Sequence, residues 1–302
     1  MTDYFYSNGK LLLSGEYAIL DGAEGWAIPT KFGQSLEITP SRSGNLVWKS
    51  FDVDHNIWFQ GSYDLVNFKE LSSSDRSISK TLSNILKQAR ALQPKLLDNS
   101  DGCVVKTHLT FPRNWGLGTS STLINNVAQW AKIDPYGLLG NTFGGSGYDI
   151  ACAQHPHPLL FKIEKSKARV REVSPVLTFS DQLYFVYLNQ KKNSREAISA
   201  YRERSIDKLQ LTTKISEITN SLITTSTLQE FETLLNLHEQ VLSSALNVPT
   251  IKEQLFPNYK GSIKSLGGWG GDFVLVTARK NTLDYFKTKG YTTIIPYSDM
   301  IL

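Results

Sequence analysis

The chain has little cysteine, little excess charge and no long hydrophobic run. Its only cysteines among 302 residues are Cys103 and Cys152, and their spacing matches neither a disulfide framework nor a zinc or redox motif. No stretch of about 18 apolar residues is long enough to span a bilayer, and the first residues lack the basic and apolar regions of a secretory signal. We therefore expect a cytoplasmic protein with no membrane partner.

The charge and the length limit the class of protein further. The formal net charge is +4, which suits a small anionic substrate and falls short of the basic surface expected of a nucleic-acid-binding protein. At 302 residues the chain is long for one hydrophobic core, so we predict two packed lobes. The composition becomes strongly charged at 164–175, which places the predicted boundary between residues 1–165 and 166–302.

A glycine-rich loop opens directly into a helix near the middle of the sequence. Residues 116–121 read Gly-Leu-Gly-Thr-Ser-Ser, a strand is predicted before them over 102–111, and apolar residues at helical spacing follow over 123–131. The N–H groups at a helix start bind anions, and glycine lets a phosphate approach the backbone. The loop has neither the Walker A lysine nor the third Rossmann glycine, which excludes both motifs. An ordinary helix start capped by Thr119 or Ser120 remains the alternative.

Two further stretches combine glycine with polar residues. Residues 8–20, Asn-Gly-Lys-Leu-Leu-Leu-Ser-Gly-Glu-Tyr-Ala-Ile-Leu, place Lys10 and Glu16 in a hairpin-like segment, which a salt-bridged surface would also explain. Near the C-terminus, residues 264–276 contain more glycine than a plain hairpin needs, although an ordinary loop remains an alternative. These glycines are Gly267, Gly268, Gly270 and Gly271.

Two groups of charged residues have both a structural and a functional interpretation. Asp149 follows the glycine-dense turn 144–147, where it is either a helix cap or a functional carboxylate. Lys191, Lys192 and Arg195 lie at a predicted strand-to-helix junction, where they form either a solvated basic turn or a binding site for a carboxylate or phosphate.

The three glycine-bearing motifs together resemble those of the galactokinase, homoserine kinase, mevalonate kinase and phosphomevalonate kinase (GHMP) family. GKLLLSGEYAIL, GLGTSS and the C-terminal glycine-rich loop occur in the family order and span almost the whole chain. The resemblance implies a two-lobed α+β fold, with an N-terminal lobe like ribosomal protein S5 domain 2 and a ferredoxin-like C-terminal lobe. It also implies ATP and Mg²⁺ as cofactors and a small-molecule substrate. It leaves monomer and homodimer both open.

The resemblance also implies roles for the phosphate loop and for two reactive residues. Gly116, Leu117, Gly118, Thr119, Ser120 and Ser121 match the phosphate loop of the family. Ser120 stands where a serine helps to hold Mg²⁺. Asp149 and Lys10 match the catalytic aspartate and lysine of the mevalonate kinase branch. Asp149 would accept or orient the acceptor proton, and Lys10 would stabilise the deprotonated oxygen.

The remaining motif residues are expected to contact nucleotide or substrate. The four glycines at 267–271 match the third motif, which shapes the site beside the phosphates. Glu16 and the three cations at 191–195 are expected to bind the substrate, because the cations would neutralise a substrate phosphate.

The sequence departs from the mevalonate kinase pattern in one place. Residues 133–148 contain only Asp134 where those enzymes have a Mg²⁺-holding glutamate, while 145–149 and 270–272 look closer to phosphomevalonate kinases. The predicted activity is therefore phosphorylation of phosphomevalonate or mevalonate, in the synthesis of isoprenoid precursors. Two alternatives stay open: a nucleotide-binding homologue with impaired catalysis, and a kinase of another small alcohol such as a sugar or an amino acid.

Overall fold

A computed structural model describes residues 2–98, 100–190, 194–269 and 271–302, without the side chains of residues 194–197. Several predicted site residues therefore lie outside the described part of the chain: Lys191, Lys192 and Gly270 entirely, and Arg195 for its side chain. Within the described residues, no helix combines the length and the apolar character needed to cross a membrane.

Strands and helices follow one another in a mixed order. The strands β1 to β12 are Asp3–Ser14, Gly25–Pro40, Asn45–Phe51, Ile57–Asp64, Glu70–Ser73, Cys103–Leu109, Leu159–Glu164, Lys167–Glu172, Leu183–Tyr187, Ile263–Ser265, Phe273–Thr277 and Ile294–Pro296. The helices α1 to α10 are Arg76–Leu92, Thr119–Ala131, Pro135–Gly140, Tyr148–Gln154, Ser194–Arg202, Lys208–Thr224, Leu228–Leu246, Ile251–Leu255, Thr282–Thr288 and Tyr297–Met300.

The larger sheet is mixed and includes the strand that leads into the glycine-rich loop. Its order is β5-β4-β3-β6-β2-β7-β8, with β1 paired to β2, and β3 runs parallel to β6. Strand β6 buries Val105, Thr107 and Leu109 on one face, which confirms the alternation seen in the sequence. The strand, loop and helix predicted for this region are therefore present.

The smaller sheet is antiparallel and has a ferredoxin-like order. Its strands lie in the order β10-β11-β9-β12. In chain order this is second, third, first, fourth, with helices between the first and second strands and between the third and fourth. This is the split β-α-β arrangement of ferredoxin-like lobes. The mixed sheet and this antiparallel sheet confirm the predicted α+β class.

The chain divides into two compact units, neither of which is continuous in sequence. The first unit comprises Met1–Gly9, Phe32–Arg113 and Leu117–Gln154, and the second comprises Lys10–Lys31, Asn114–Gly116 and His155–Leu302. Strand β2 contributes residues to both. The predicted lobe boundary at residue 165 assumed that each lobe is one continuous stretch of sequence. It stays a prediction.

The first unit has a core formed by helices on one face of a sheet. Asp75 accepts hydrogen bonds from Ser77 N and Ile78 N at the start of α1, which is a common way to satisfy free helix N–H groups. One stripe of α1 is buried with strands β3 and β4 and with α2. The hydrophobic stripe of α2 predicted from the sequence includes Ile124 and Val127, and both are buried in this core.

The described residues of the second unit include the following hydrophobic clusters. One lies on the ferredoxin-like sheet and contains Phe256, Tyr259 and Phe286. The other brings Trp269 together with residues of α5, α6 and α7. Helix α7 is capped by Thr227, whose hydroxyl accepts from Glu230 N.

Candidate active site

In the first unit, the helix after the glycine-rich loop begins without a side-chain cap. Helix α2 starts at Thr119, and its N-cap is Gly118, with φ of +98°. The capping alternative for Thr119 and Ser120 is therefore wrong, because both residues lie inside the first turn. A glycine cap offers no side-chain acceptor to the first N–H groups of the helix, and the side chain of Ser120 is exposed. The helix start thus keeps the donors that an anion site needs.

The hydroxyls of Ser121 and Thr122, in the first turn of α2, form hydrogen bonds within the protein. Ser121 Oγ donates to Gly118 O at 2.9 Å. Thr122 Oγ1 lies 2.8 Å from Gln34 Oε1 and 3.1 Å from Gly118 O. Gln34 belongs to β2, and its backbone oxygen accepts from Asn126 Nδ2 at 2.9 Å. Hydrogen bonds between neutral groups therefore fix the first turns of α2. These hydroxyls are bonded within the protein and do not compete with an anion for the helix N–H groups.

Asp149 also lies at the start of a helix in the first unit. Helix α4 begins at Tyr148, so Asp149 is the second residue of the helix rather than its cap. Gly147 precedes the helix with φ of +89°, and a Cβ there would lie 3.0 Å from the ring of Tyr136. A carboxylate in a first turn is stabilised by the helix dipole. Glycine at position 147 therefore allows the sharp turn before α4, and this turn places the half-buried Asp149 in the first turn of the helix.

In the second unit, Lys10 and Asp272 meet at one glycine of the phosphate loop. Lys10 Nζ donates to Gly116 O at 2.9 Å. A Cβ on Gly116, which has φ of +69°, would overlap the carboxylate of Asp272. Only glycine leaves room for this contact. The sequence pattern did not indicate a site role for Asp272; its position directly after the third glycine motif was the available signal.

The third glycine motif is the loop of a hairpin, contrary to the expectation from its glycine content. Strands β10 and β11 pair antiparallel with Ser265 opposite Val274, and Leu266 N donates to Phe273 O. Gly267 has φ of +70°, and Trp269 is buried in the cluster with Tyr201. The large side chain of Trp269 thus packs inside the second unit.

Glu16 lies in a buried cluster of charged residues in the second unit. Lys264 Nζ donates to Glu16 Oε1 and to Ser265 O, and lies 3.2 Å from Glu239 Oε1. Glu239 accepts from Ser265 N at 3.1 Å and from Ser265 Oγ at 2.9 Å. The exposed fractions of Glu16 and Lys264 are 1% and 0%. We call the set of Glu16, His238, Glu239, Lys264 and Ser265 the buried ionic cluster.

Burial shifts the proton equilibria of this cluster. Loss of solvation raises the pKa of Glu16 to about 7, against the opposing effect of Lys264, and also raises the pKa of Glu239. Burial and the nearby Lys264 hold the pKa of His238 well below its usual value. His238 Nε2 accepts from Gly15 N at 3.1 Å, which puts the proton of the neutral ring on Nδ1.

The described residues offer few ligands for a metal ion. Among them, no group of three or more histidine, cysteine or acidic residues is arranged to hold a metal. Asp134, the acidic residue of 133–148, is the N-cap of α3 and accepts from Tyr136 N at 3.2 Å and Gly137 N at 3.0 Å. Its carboxylate is therefore engaged in a structural role.

The structure brings together only some of the predicted site residues that it describes. Lys10 and Gly116 are brought together in the second unit, whereas Asp149 belongs to the first unit, so the predicted Lys10–Asp149 pair stays a prediction. Glu16 has partners in the protein interior. The predicted substrate contacts of the three cations at 191–195 lie outside the described residues.

The structure is similar to solved structures of several small-molecule kinases. Mevalonate kinase from Methanococcus jannaschii has a TM-score of 0.69 at 14% identity, over 96% of this chain and 94% of that chain. Streptococcus pneumoniae phosphomevalonate kinase, in complex with phosphomevalonate and AMPPNP, has a TM-score of 0.69 at 14% identity, over 99% and 98%. Lactococcus lactis galactokinase complexed with galactose has a TM-score of 0.64 at 13% identity, over 98% and 94%.

These similarities establish the fold and not the substrate. No family model and no curated protein matches the sequence. The matching structures include kinases of mevalonate, phosphomevalonate, galactose and a heptose phosphate. The chain therefore has the GHMP kinase fold that its three motifs predicted.

Proposed function

We propose that this chain is an ATP-dependent phosphotransferase that transfers the γ-phosphoryl group to phosphomevalonate or mevalonate. The observation that supports this most directly is the glycine-capped start of α2, at the end of a loop that begins with Gly116. The fold adds support, since structures with this fold include kinases of both acceptors. The order of the three motifs, which matches that of the GHMP family, adds further support.

The residues of the loop would bind a triphosphate and contribute to a metal site. The N–H groups of residues 116–121 would hold the phosphates, and the resemblance gives the glycines at 267, 268, 270 and 271 a role in shaping the nucleotide site. The exposed hydroxyl of Ser120 would hold Mg²⁺. A bound Mg²⁺ would neutralise charge on the phosphate oxygens.

Lys10 and Asp149 would act on the acceptor hydroxyl. The acceptor oxygen would form a bond to the γ-phosphorus while the bond to the β–γ bridging oxygen breaks and ADP leaves. Asp149 would take the hydroxyl proton, and Lys10 would stabilise the negative charge on the acceptor oxygen. The hydrogen bond from Lys10 to Gly116 O keeps this ammonium group next to the loop.

Phosphomevalonate is the acceptor that we favour within this proposal. The cations Lys191, Lys192 and Arg195 would give its phosphate a counter-charge. The S. pneumoniae phosphomevalonate kinase structure was solved with this compound and a nucleotide, and it covers nearly the whole of this chain. Mevalonate would need fewer cations, because it carries only a carboxylate.

A second candidate function is nucleotide binding without catalysis. It is favoured by Asp134, whose carboxylate caps α3 and is the acidic side chain of 133–148. If no other acidic residue holds Mg²⁺, the chain would bind ATP and turn over slowly or not at all. It would then act as a sensor or as a subunit of an assembly.

A coupled ADP-release assay separates these functions. Phosphomevalonate, mevalonate, galactose, homoserine and a heptose 1-phosphate are tested at millimolar ATP and Mg²⁺, with calorimetric titration of ATP in parallel. We expect turnover with phosphomevalonate above the other acceptors. ATP binding without turnover of any acceptor supports the second candidate, and no ATP binding refutes both.

A pair of aspartate variants tests the proposed role of Asp149. Asp149→Asn should lower kcat by about 10³-fold or more and leave ATP affinity within about twofold, because the carboxylate acts in the transition state. Asp134→Asn is the matched control, since asparagine also caps helices and should leave kcat unchanged. Normal activity in Asp149→Asn would remove this residue from the mechanism.

A further inference from the structure

The buried ionic cluster joins three segments of the second unit. Glu16 lies directly after β1, which ends at Ser14. His238 and Glu239 lie on α7. Lys264 lies on β10, which ends at Ser265, immediately before the glycine-rich loop. The cluster therefore connects the end of the strand that carries Lys10 to the start of the third glycine motif.

The turn at Gly15 depends on the same cluster. Gly15 has φ of +101°, and a Cβ there would lie 2.7 Å from Gly25 Cα. Its N–H donates to His238 Nε2, and the hydroxyl of the preceding Ser14 lies 2.8 Å from Thr219 Oγ1 of α6. Polar contacts from α6, α7 and β10 therefore surround this turn, which has little room to move.

We propose that Glu16 is a positioning residue, whose carboxylate pairs with Lys264 to hold the end of β1 on β10, and that it does not contact the substrate. The catalytic consequence of this inference rests on the proposed function. Through the cluster, Glu16 sets where Lys10 lies on β1 and where the third glycine motif begins.

Substrate binding by Glu16 would require the cluster to open. The carboxylate is 1% exposed, and Lys264 is fully buried beside it. A substrate that replaced Lys264 would leave a buried ammonium group with one carboxylate partner fewer, which is strongly unfavourable. Glu16 Oε2 is also buried, 3.4 Å from His238 Nε2, and has no hydrogen-bond partner among the described residues, so no exposed atom of the carboxylate is left for a substrate.

Three variants and one control test the inference. Glu16→Gln keeps the shape of the side chain and removes its charge, and Lys264→Met removes the counter-charge. Ser265→Ala, which removes only the hydroxyl bond to Glu239, is the milder variant if Lys264→Met does not fold. Glu24→Gln is the control, because Glu24 lies in the same segment and accepts from Asn220 Nδ2 at 2.7 Å near the surface.

Hydrogen exchange tests the positioning without any need for turnover. We expect Glu16→Gln and Lys264→Met to speed amide exchange at residues 15–17 and 265–269 by about tenfold or more. The double variant should resemble the more affected single variant, because both remove one interaction. The Glu24 control should leave both segments unchanged. Unchanged exchange in these segments in Glu16→Gln overturns the inference, whether or not the protein is a kinase.

Steady-state kinetics distinguishes positioning from substrate contact. A positioning role predicts a fall in kcat of about tenfold for Glu16→Gln, with the acceptor KM within about twofold. A raised acceptor KM with unchanged kcat would show that Glu16 binds substrate and would overturn the inference. Unchanged kinetics below the unfolding temperature would show a purely structural role and would also overturn it. If the wild-type chain turns over no acceptor, the proposed function fails, and hydrogen exchange alone decides the inference.

Discussion

Two glycine-containing turns in this chain are stabilised by different kinds of interaction, one by charged groups and the other by neutral hydrogen bonds. The turn at Gly15 is held by the buried ionic cluster, in which Lys264 pairs with two carboxylates. The turn at Gly118 is held by neutral hydrogen bonds, from Ser121 and Thr122 to Gly118 O and Gln34. Both turns contain a glycine at positive φ, so the difference lies in what surrounds them.

The difference follows from what each turn has to do. A turn that binds an anion must keep its N–H groups available, so the side chains at the start of its helix must form hydrogen bonds elsewhere. A turn that joins three segments has no such requirement. Buried charged groups can fix its position, because removing one partner of a buried ion pair strongly destabilises the fold. Charge therefore holds the turn that joins segments, and neutral hydroxyls support the turn that we propose binds phosphate.

The largest expected effect is on the ionic turn. Lys264→Met leaves two buried carboxylates without their cation, so we expect a loss of about 3–5 kcal/mol in the free energy of unfolding. Denaturant titration at pH 7 measures it. Lys31→Met is the control, since Lys31 donates to Ser298 O from an exposed position. A loss no larger than that of the control would show that the cluster contributes little.

Steric crowding at the phosphate loop should give the next largest effect. Gly116→Ala would place a methyl group against the Asp272 carboxylate at φ of +69°, so we expect ATP affinity to fall about tenfold or more. Calorimetric titration of ATP measures it. Gly44→Ala is the control, because Gly44 has φ of +70° with nothing within 4 Å. Equal ATP affinity in the two variants would contradict the close approach at Gly116.

The ionic turn should also respond to pH, whereas the neutral turn should not. The pKa of Glu16 is raised to about 7 in the folded chain from 4.5, so its stabilising contribution is complete below pH 4.5 and is lost as the pH rises through 7. The lowered pKa of His238 has the opposite effect on stability. The stabilising contribution of the neutral His238 ring is present above pH 6.5 and is lost as the pH falls below it. The remaining titratable groups facing Glu16 are Lys264 and Glu239 and its neighbour Tyr17.

The variant Glu16→Gln isolates the contribution of Glu16 to the pH dependence of the free energy of unfolding. Relative to Glu16→Gln, the wild-type chain should lose about 1–3 kcal/mol of unfolding free energy between pH 4.5 and pH 7. Denaturant titrations of both proteins at several pH values measure this difference. A difference that stays constant over this range would mean that Glu16 is ionised throughout.

The smallest effect is expected at the neutral turn. Thr122→Val removes the hydroxyl that lies 2.8 Å from Gln34 Oε1, so we expect a loss of about 1 kcal/mol in the free energy of unfolding. Thr81→Val, which removes an exposed helix hydroxyl bonded to Ser77 O, is the matched control. An effect as large as that of Lys264→Met would remove the contrast between the two turns.

Much of the fold could be predicted because its signals are local. The alternation over 102–111, the glycine-rich loop and the helical spacing over 123–131 each predict a local structure, and all are present. The hairpin around the third motif was not predicted, because its loop is unusually rich in glycine. A cap at Thr119 or Ser120 was the alternative interpretation of the loop, and it is wrong because Gly118, a glycine in the left-handed region, is the cap.

The sequence alone determined the strand, loop and helix around the central motif and the order of the three motifs, because these depend on short-range patterns. The α+β class followed from the family resemblance that the motifs carry. Only the tertiary structure decided which partners the polar residues have. Lys264 lies 248 residues from Glu16, and Gly116 lies 106 residues from Lys10. Nothing in the spacing of one segment encodes a partner so far away, because such a pair forms only when the sheets and helices of the unit have packed.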